Sequence, residues 1–212
     1  IFGNGNHCKI VKQEIEKNSN YKIKAIFDII NNKVFLNEKF KRKKIDLNKK
    51  YLAITAIGNN IIRRKLVKII ERKFKNIKWA KIISKNAIIN KEVKIGEGTL
   101  IVSGAVLNIN SSIGSHSIVN TSCSLDHDVK VGDFTDLAPG VNIAGNVNIG
   151  NNVFVGIGSS IMQKIKIEDN VIIGGQSFVN KNCKSNSKYF GVPSKKIKWQ
   201  TILKFMFKHN KE

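Results

Sequence analysis

Four histidines occur in the chain, and one of them, His127, is followed directly by the carboxylate of Asp128. Imidazole has an unperturbed pKa near neutral pH, so it can take a proton from a nucleophile and return it to a leaving group. A neighbouring carboxylate can fix the tautomer of the ring and keep it basic. From these residues alone, a general base and a surface histidine without a role remain equally open interpretations of His127.

The three cysteines indicate neither a metal site nor a disulfide framework. Cys8, Cys123 and Cys183 are odd in number and widely spaced, and they form no C-x-x-C pair and have no histidine at the spacing expected of a metal ligand. We therefore predict that they are small buried side chains, and we predict no bound metal.

The charge balance is strongly basic, with 37 Lys and Arg against 15 Asp and Glu and a net charge of +22 in 212 residues. These charges are spread along the chain, and Lys, Asn and Ile are abundant together, as in an AT-rich coding sequence. We therefore expect no nucleic-acid partner, although a positive field favours small anionic ligands. Because there is no apolar run long enough to span a membrane and no cleavable leader, we expect a soluble cytoplasmic protein.

The second half of the chain repeats every six residues. Sixteen successive positions in steps of six, from Ile89 to Val179, hold Ile, Leu or Val. The residue four places after each of them is small or β-branched, except for the bulkier Ile165. A helix repeats every 3.6 residues and a strand every two, so this period fits neither element alone.

A period of six fits a three-sided parallel β-coil in which each segment forms one short strand and one turn. Three segments close one coil, so each large aliphatic side chain stacks on its equivalent three segments later. About five coils follow from the repeat. A glycine directly after the aliphatic position predicts a corner with little room, as at Gly96, Gly114, Gly132, Gly150, Gly156 and Gly174. A purely structural solenoid would need regular ligand ladders on its flat faces, and the outward residues are irregular.

Residues 1 to about 80 follow a different order of elements: strand, glycine turn, helix, strand and acid. Ile1-Phe2 leads into the turn Gly3-Asn4-Gly5-Asn6-His7, a helix buries Ile10, Val11 and Ile15, and a strand from Tyr21 to Phe27 ends at Asp28. This is the order of a mononucleotide-binding βαβ unit, in which glycines admit phosphate at a helix N-terminus and the acid accepts from ribose or base.

A third predicted strand, from Tyr51 to Ile57, ends in Gly58-Asn59-Asn60. It leads into a helix that places Ile62, Leu66 and Ile69 on one side and Arg63 near its start. Polar or glycine residues at the ends of parallel strands meet at one edge of a sheet, which favours a ligand crevice there. The lysine-rich stretch from Lys39 to Lys50 is predicted to be a solvated loop.

The six-residue repeat is the motif of the left-handed β-helix acyltransferases, which residues of roughly 83 to 198 resemble. With its N-terminal half, nearly the whole chain resembles bacterial sugar acetyltransferases that carry a small Rossmann-like domain before a left-handed β-helix. Members N-acetylate a UDP-4-amino-sugar or perosamine, or O-acetylate sialic acid. The motifs that carry the resemblance are Gly3-Asn4-Gly5-Asn6-His7, Ala56-Ile57-Gly58-Asn59-Asn60 with Arg63, Asn120-Thr121-Ser122, His127-Asp128, Ala144-Gly145-Asn146-Val147 and Gly191-Val192-Pro193-Ser194-Lys195.

The resemblance implies three sets of site residues. The first set contains His127 as the general base, Asp128 as the carboxylate that orients it and Asn120 as a polar contact to the reacting group. The set that binds the nucleotide-sugar contains Gly3, Asn4, Gly5, Asn6, His7, Asp28, Gly58, Asn59 and Arg63. The set that binds acetyl-CoA contains Asp136, Gly145, Gly156, Ile157, Gly158, Gly175, Val192, Pro193 and Lys195. Asp136 stands where members acting on the UDP-amino-sugar can carry a second histidine.

The predicted fold is therefore an α/β Rossmann-like βαβ domain over residues 1–80, a left-handed parallel β-helix over 81–198 and a short C-terminal amphipathic helix over 199–212. The resemblance implies a homotrimer that N-acetylates a UDP-linked amino sugar. A sugar O-acetyltransferase of the sialic acid type and a non-catalytic nucleotide-sugar-binding scaffold are the alternatives. The tail is predicted to cap the last coil, with contact to a membrane as the less favoured role.

Overall fold

A computed structural model describes residues 1–17, 21–30, 33–36 and 50–197. The predicted C-terminal helix at 199–212, with its capping or membrane role, lies outside these residues, as does all of the predicted loop from Lys39 to Lys50 except Lys50 itself. Among the described residues, no helix has the length and apolar character needed to cross a bilayer.

The six-residue repeat forms a β-solenoid, as predicted. From Ile82 to Val179, 17 two-residue strands (β5 to β21) follow one another every six residues, and three of them close one turn. Each strand pairs in parallel with the equivalent strand of the next turn, as Ser124 does with Asn142. The solenoid has nearly six turns rather than five, because the segment at Ile82–Ile83 precedes the first predicted one.

The strands form three flat faces, which we name after the character or packing of their outward side chains. The docked face contains β5 (Ile82–Ile83), β8 (Leu100–Ile101), β11 (Ile118–Val119), β14 (Asp136–Leu137), β17 (Phe154–Val155), β20 (Ile172–Ile173), β22 (Lys188–Phe190) and β23 (Lys195–Ile197). The uncharged face contains β6 (Ile88–Ile89), β9 (Val106–Leu107), β12 (Ser124–Leu125), β15 (Asn142–Ile143), β18 (Ser160–Ile161) and β21 (Phe178–Val179). The lysine face contains β7 (Lys94–Ile95), β10 (Ser112–Ile113), β13 (Lys130–Val131), β16 (Asn148–Ile149) and β19 (Lys166–Ile167).

The interior of the solenoid is filled by the two inward positions of each repeat. All the large aliphatic positions from Ile101 to Val179 are buried, and so are the small positions between them. Buried hydroxyls at the small positions donate to backbone carbonyls, as Thr135 Oγ1 does to Gly150 at 2.8 Å. Because these donors are satisfied, polar residues enter the core without the penalty of an unpaired group. Cys8, Cys123 and Cys183 are free and buried, as predicted.

The predicted glycines lie at corners of the solenoid where the backbones of successive turns approach closely. A Cβ at Gly132 would lie 2.6 Å from the backbone of Gly150 in the next turn, so only glycine permits this approach. From Gly98 to Gln176, the residue three places after the aliphatic position takes a left-handed backbone, with φ of 60° at Asn110 and 59° at Asp128.

In the described part of the N-terminal region there are two helices and four short strands. They are α1 (Asn6–Lys17), β1 (Phe27–Ile30), β2 (Lys33–Leu36), β3 (Tyr51–Ala53), α2 (Asn60–Lys73) and β4 (Ile77–Trp79). Phe2 forms parallel bridges with Phe27 and Thr55, and β3 pairs in parallel with β4. The strands before each helix are thus neighbours in one parallel arrangement, to which β1 adds an antiparallel hairpin with β2. A complete Rossmann-like domain stays a prediction.

Two details of this region were predicted wrongly. The second strand begins at Phe27, where it was expected to end, because its pairing starts beside Ile1 and Gly3 and continues into the hairpin. The apolar faces of the helices are also rotated, since Ile10 and Ile62 are exposed. The buried face of α1 contains Cys8, Val11, Glu14 and Ile15, and that of α2 contains Asn60, Arg63, Leu66, Val67 and Ile70.

The N-terminal region packs on the docked face of the solenoid. The outward side chains of Ile82, Leu100 and Ile118 are buried there, and they share one apolar cluster with Val11 and Ile15 of α1. On an open solenoid these positions would face water. An apolar residue at the same outward position in three successive turns was therefore a signal in the sequence for a covered face.

Candidate active site

His127 and Asp128 lie at the corner between the uncharged face and the lysine face. The Nδ1 atom of His127 is 2.8 Å from Oδ2 of Asp128, and the imidazole is 50% exposed. The hydrogen bond that the imidazole donates to Asp128, with a smaller contribution from the charge of Asp126, raises the pKa of His127 above its usual 6.5. The same hydrogen bond lowers the pKa of Asp128. The predicted pair is formed, and it leaves Nε2 as the nitrogen without a carboxylate.

Two further residues support this pair and were missed from the sequence. Asn110, one turn earlier at the same corner, makes a side-chain hydrogen bond with Asp128. Asp126 Oδ1 accepts from the backbone N–H of His127 at 2.8 Å. Asn110 and Asp128 both occupy the left-handed corner position, in successive turns, so this equivalence within the repeat was the available signal.

Gly145 lies directly against the imidazole, one turn after His127. A Cβ at Gly145 would lie 2.5 Å from Nε2 and 2.6 Å from Cε1 of that ring. Any larger residue at this position would force the ring to move. The structure therefore brings together His127, Asp128 and Gly145 from the predicted sites, and glycine at 145 is explained by space for the ring.

Asn120 lies at a different corner, between the docked and uncharged faces. Its Oδ1 accepts from the backbone N–H of Thr121 at 2.8 Å. The strand Ser124–Leu125 separates this corner from His127. Within one chain the structure does not bring Asn120 to the imidazole, and its role stays a prediction.

Four of the nine residues predicted to bind acetyl-CoA lie at later turns of the corner that contains Asn120: Gly156, Ile157, Gly158 and Gly175. A Cβ at Gly156 would lie 2.4 Å from the backbone nitrogen of Gly175, and Gly158 has a φ of +65°. These glycines are therefore required by the corner itself, and Ile157 is exposed beside them. Val192, Pro193 and Lys195 are exposed farther along, next to the strand pair β22 and β23.

The two glycine-containing loops at Gly3–His7 and Gly58–Asn59, which contain most of the residues predicted to bind the nucleotide-sugar, lie side by side at one edge of the N-terminal strands. A Cβ at Gly3, where φ is +110°, would lie 2.9 Å from the carbonyl oxygen of Ala56, so the two strand-end loops touch. Gly5 and Gly58 precede α1 and the cap of α2, and a Cβ at either would meet no atom within 4 Å. The fold itself does not require glycine at these two positions, which leave open space beside two helix N-termini.

The remaining members of this set have diverse surroundings. His7 has a buried Nε2 without a hydrogen-bond partner, and burial, together with the charge of Arg63, lowers its pKa. Asn59 caps α2, since its Oδ1 accepts from Ile62 N–H at 3.0 Å. Asn4 and Asn6 are exposed at the helix start. Asp28 lies within β1 instead of after a strand end.

Arg63 and Asp136, predicted to contact different ligands, are paired with each other. Their side chains are 1% and 7% exposed, with 3.1 Å between Nη2 and Oδ1. Burial raises the pKa of Asp136 to about 6, and the charge of Arg63 opposes this shift. Among the residues described, no cluster of three or more His, Cys, Asp or Glu is arranged to hold a metal ion.

Each half of the chain matches a known protein family. Residues 1–70 match the family described as PglD N-terminal domain, and residues 146–181 match the bacterial transferase hexapeptide family of six repeats. The chain is therefore an acetyltransferase that carries a PglD N-terminal domain and hexapeptide repeats. No curated protein sequence matches this acetyltransferase.

Solved structures resemble this acetyltransferase over nearly its whole length. PerB from Caulobacter crescentus, solved in complex with CoA and GDP-perosamine, is 25% identical with a TM-score of 0.81, covering 93% of this chain and 95% of that one. WeeI from Acinetobacter baumannii is 25% identical with a TM-score of 0.79, covering 92% and 97%. The acetyltransferase domain of PglB from Neisseria gonorrhoeae, at 23% identity with a TM-score of 0.81 and the same coverage, shares the fold.

Proposed function

We propose that this acetyltransferase moves the acetyl group of acetyl-CoA to the amino group of a nucleotide-linked amino sugar, with His127 as general base. The observation that carries the proposal is the His127 and Asp128 pair fixed against Gly145. The similarity to PerB, which was solved with CoA and GDP-perosamine, supports an amino-sugar acceptor. UDP is the nucleotide we favour, on the resemblance to the UDP-4-amino-sugar enzymes.

In this reaction the acceptor amine attacks the thioester carbonyl carbon, and a new C–N bond forms. His127 takes the proton that the amine loses, through Nε2, because Nδ1 is held by Asp128. The C–S bond then breaks, and the sulfur of CoA receives a proton from the imidazolium. The backbone amide of Gly145 is the donor we assign to the developing oxyanion.

The nucleotide end of the acceptor is assigned to the crevice beside Gly5 and Gly58 in a Rossmann-like N-terminal domain. Two helices begin at this edge, and a helix N-terminus with an open approach suits phosphate. The unpartnered Nε2 of His7 supplies a polar group there. Asn120 and the glycine corner at 156–158 are assigned to the acceptor and to the pantetheine arm of acetyl-CoA.

The two ends of this site lie on opposite sides of one solenoid. The N-terminal region covers the docked face, whereas His127 occupies the corner opposite that face. We therefore infer that the site is completed between copies of the chain in a homotrimer. The acceptor held by one copy then meets the base of its neighbour.

The test is a mass-spectrometric screen of UDP-, GDP- and dTDP-linked amino sugars with acetyl-CoA, followed by the variant His127→Ala on whichever acceptor gains an acetyl group. We expect a kcat lower by about 100-fold or more, because the proton acceptor is lost, with the KM for acetyl-CoA little changed. Full turnover by His127→Ala would refute the role of His127. Selective acetylation of free sialic acid would identify an O-acetyltransferase, and absence of thermal stabilisation by acetyl-CoA would identify a scaffold.

A further inference from the structure

The buried pair of Arg63 and Asp136 joins the N-terminal region to the solenoid. Arg63 lies near the start of α2, and Asp136 lies on β14 of the docked face. Nη1 donates to Oδ2 at 3.2 Å and Nη2 donates to Oδ1 at 3.1 Å. This two-pronged geometry fixes the orientation of both planar groups as well as their distance.

The same guanidinium also holds the loop predicted to bind the nucleotide-sugar. Nη1 donates to the carbonyl oxygens of Ile57 at 2.8 Å and Gly58 at 3.2 Å, and Nε donates to that of His116 at 2.8 Å. His116 belongs to a corner of the solenoid. One side chain thus ties the loop, the corner and the docked face together.

A second contact fixes the far end of this loop. Asn60 Nδ2 donates to the carbonyl oxygen of Val153 at 3.3 Å, and Asn60 Oδ1 accepts from Ile61 N–H at 3.0 Å. The loop of residues 57–60 is therefore anchored at both ends to the solenoid. Its exposed middle, at Gly58 and Asn59, faces the crevice.

We propose that Arg63 and Asp136 are positioning residues that set the place of the 57–60 loop, and hence of the acceptor sugar, relative to the solenoid. Neither contacts the nucleotide or acetyl-CoA, because both side chains are buried against each other. This inference rests on the proposed function. An apolar pair can fill the same volume, but only a guanidinium reaches the carboxylate and three carbonyls together.

The experiment compares three variants: Asp136→Asn, Arg63→Lys and a double variant that combines Arg63→Met and Asp136→Leu. Each is assayed with the acceptor that the unaltered protein acetylates. For Asp136→Asn we expect the KM of the acceptor to rise about 10- to 100-fold, because Arg63 loses the carboxylate that holds it, and with it the loop, in place on the docked face. The KM of acetyl-CoA should change less than about two-fold. The melting midpoint should fall by about 10 °C, since one charge is left buried without its partner.

The double variant separates positioning from stability. Replacing both charges with apolar groups restores most of the melting midpoint, because no unpaired charge remains. The KM of the acceptor should nevertheless stay high, because the contacts to the carbonyls of Ile57 and Gly58 are missing. Recovery of the acceptor KM together with the melting midpoint would overturn the proposal.

The matched control is Ser103→Ala. Ser103 Oγ donates to the buried Glu14 Oε1 at 2.9 Å, so this variant removes a different polar contact between the N-terminal region and the solenoid. We expect a lower melting midpoint and an unchanged acceptor KM. An equal rise of the acceptor KM in this control would show a general loosening and sink the inference. Failure of the unaltered protein to acetylate any nucleotide-linked amino sugar would instead contradict the proposed function.

Discussion

His127 differs from an ordinary surface histidine in the number of groups that fix its ring. Asp128 holds Nδ1, Gly145 lies against Nε2, and Asp126 accepts from the backbone N–H. A half-exposed imidazole without such contacts samples several rotamers. These contacts leave Nε2 as the one nitrogen, in one position, that could take a proton from the proposed amine acceptor.

The pH dependence of turnover should report the contact with Asp128. A general base works when it is neutral, and Asp128 raises the pKa of His127, so kcat/KM should rise with pH through a value above 6.5. In Asp128→Asn this pKa falls back towards 6.5. We expect the acid limb of the kcat/KM profile to move to lower pH and the plateau to drop about 10- to 100-fold.

Asp126→Asn is the matched control for this measurement. It removes a nearby carboxylate that makes the smaller contribution to the pKa and does not touch the ring nitrogens. Its acid limb should move less than that of Asp128→Asn. Identical pH profiles for Asp128→Asn and the unaltered protein would contradict the assigned role of Asp128.

At the residue scale, the sequence predicted a contact between residues that are adjacent in the chain. It did not predict a contact that forms only where the N-terminal region packs on the solenoid. His127 and Asp128 are adjacent, so a pair followed from their order. Arg63 and Asp136 are 73 positions apart and meet only because α2 packs on the docked face. Their resemblance to ligand-binding positions suggested two separate roles, and nothing in the sequence around either residue indicates that the two form a pair.

At the element scale, the solenoid was predictable because one short repeat fixes strand, turn and core at once. Strand pairing between successive turns follows directly from three segments per turn. The helices were less predictable, because the buried face of a short helix depends on which neighbour it meets. Ile10 and Ile15 both fit an apolar stripe on α1, yet only Ile15 contacts the docked face.

Substitutions on α1 should distinguish these two isoleucines. Ile15 is 5% exposed within the cluster on the docked face, and Ile10 is 36% exposed. We expect Ile15→Ala to lower the free energy of unfolding by about 2–4 kcal/mol through loss of burial and an internal cavity. Ile10→Ala, the same change on the same helix, should cost less than about 1 kcal/mol. If chemical denaturation gave the same loss of unfolding free energy for both variants, the assignment of the buried face of α1 would be wrong.

At the scale of the whole molecule, the three faces have different outward chemistry. The N-terminal region covers the docked face, and the lysine face presents Lys94, Lys130 and Lys166 to solvent. No outward residue of the uncharged face carries a charge, although the chain has a net charge of +22. Copies of a strongly basic chain repel one another, so the uncharged face is the side we assign to contact within the proposed homotrimer.

Charge insertion should test this assignment. Ser124 and Ser112 occupy equivalent outward positions on the uncharged and lysine faces. We expect Ser124→Lys to reduce the mass in sedimentation equilibrium from three chains to one, because lysines would face one another in the interface. Ser112→Lys, the same change on the lysine face, should keep the mass of three chains. A trimer that survives Ser124→Lys and dissociates with Ser112→Lys would move the contact to the other face.

The six-residue step also restricts how the chain can change in length. Removing three consecutive segments shortens the solenoid by one whole turn. Every later side chain then stays on the same face or at the same corner as before. Removing a single segment preserves the aliphatic core but turns everything downstream by one third of a rotation. The loss of one segment between Asp136 and Gly145 would thus leave an intact core while swinging Gly145 away from the imidazole of His127. A deletion of this kind would therefore remove the contact between Gly145 and His127 even though the fold is retained.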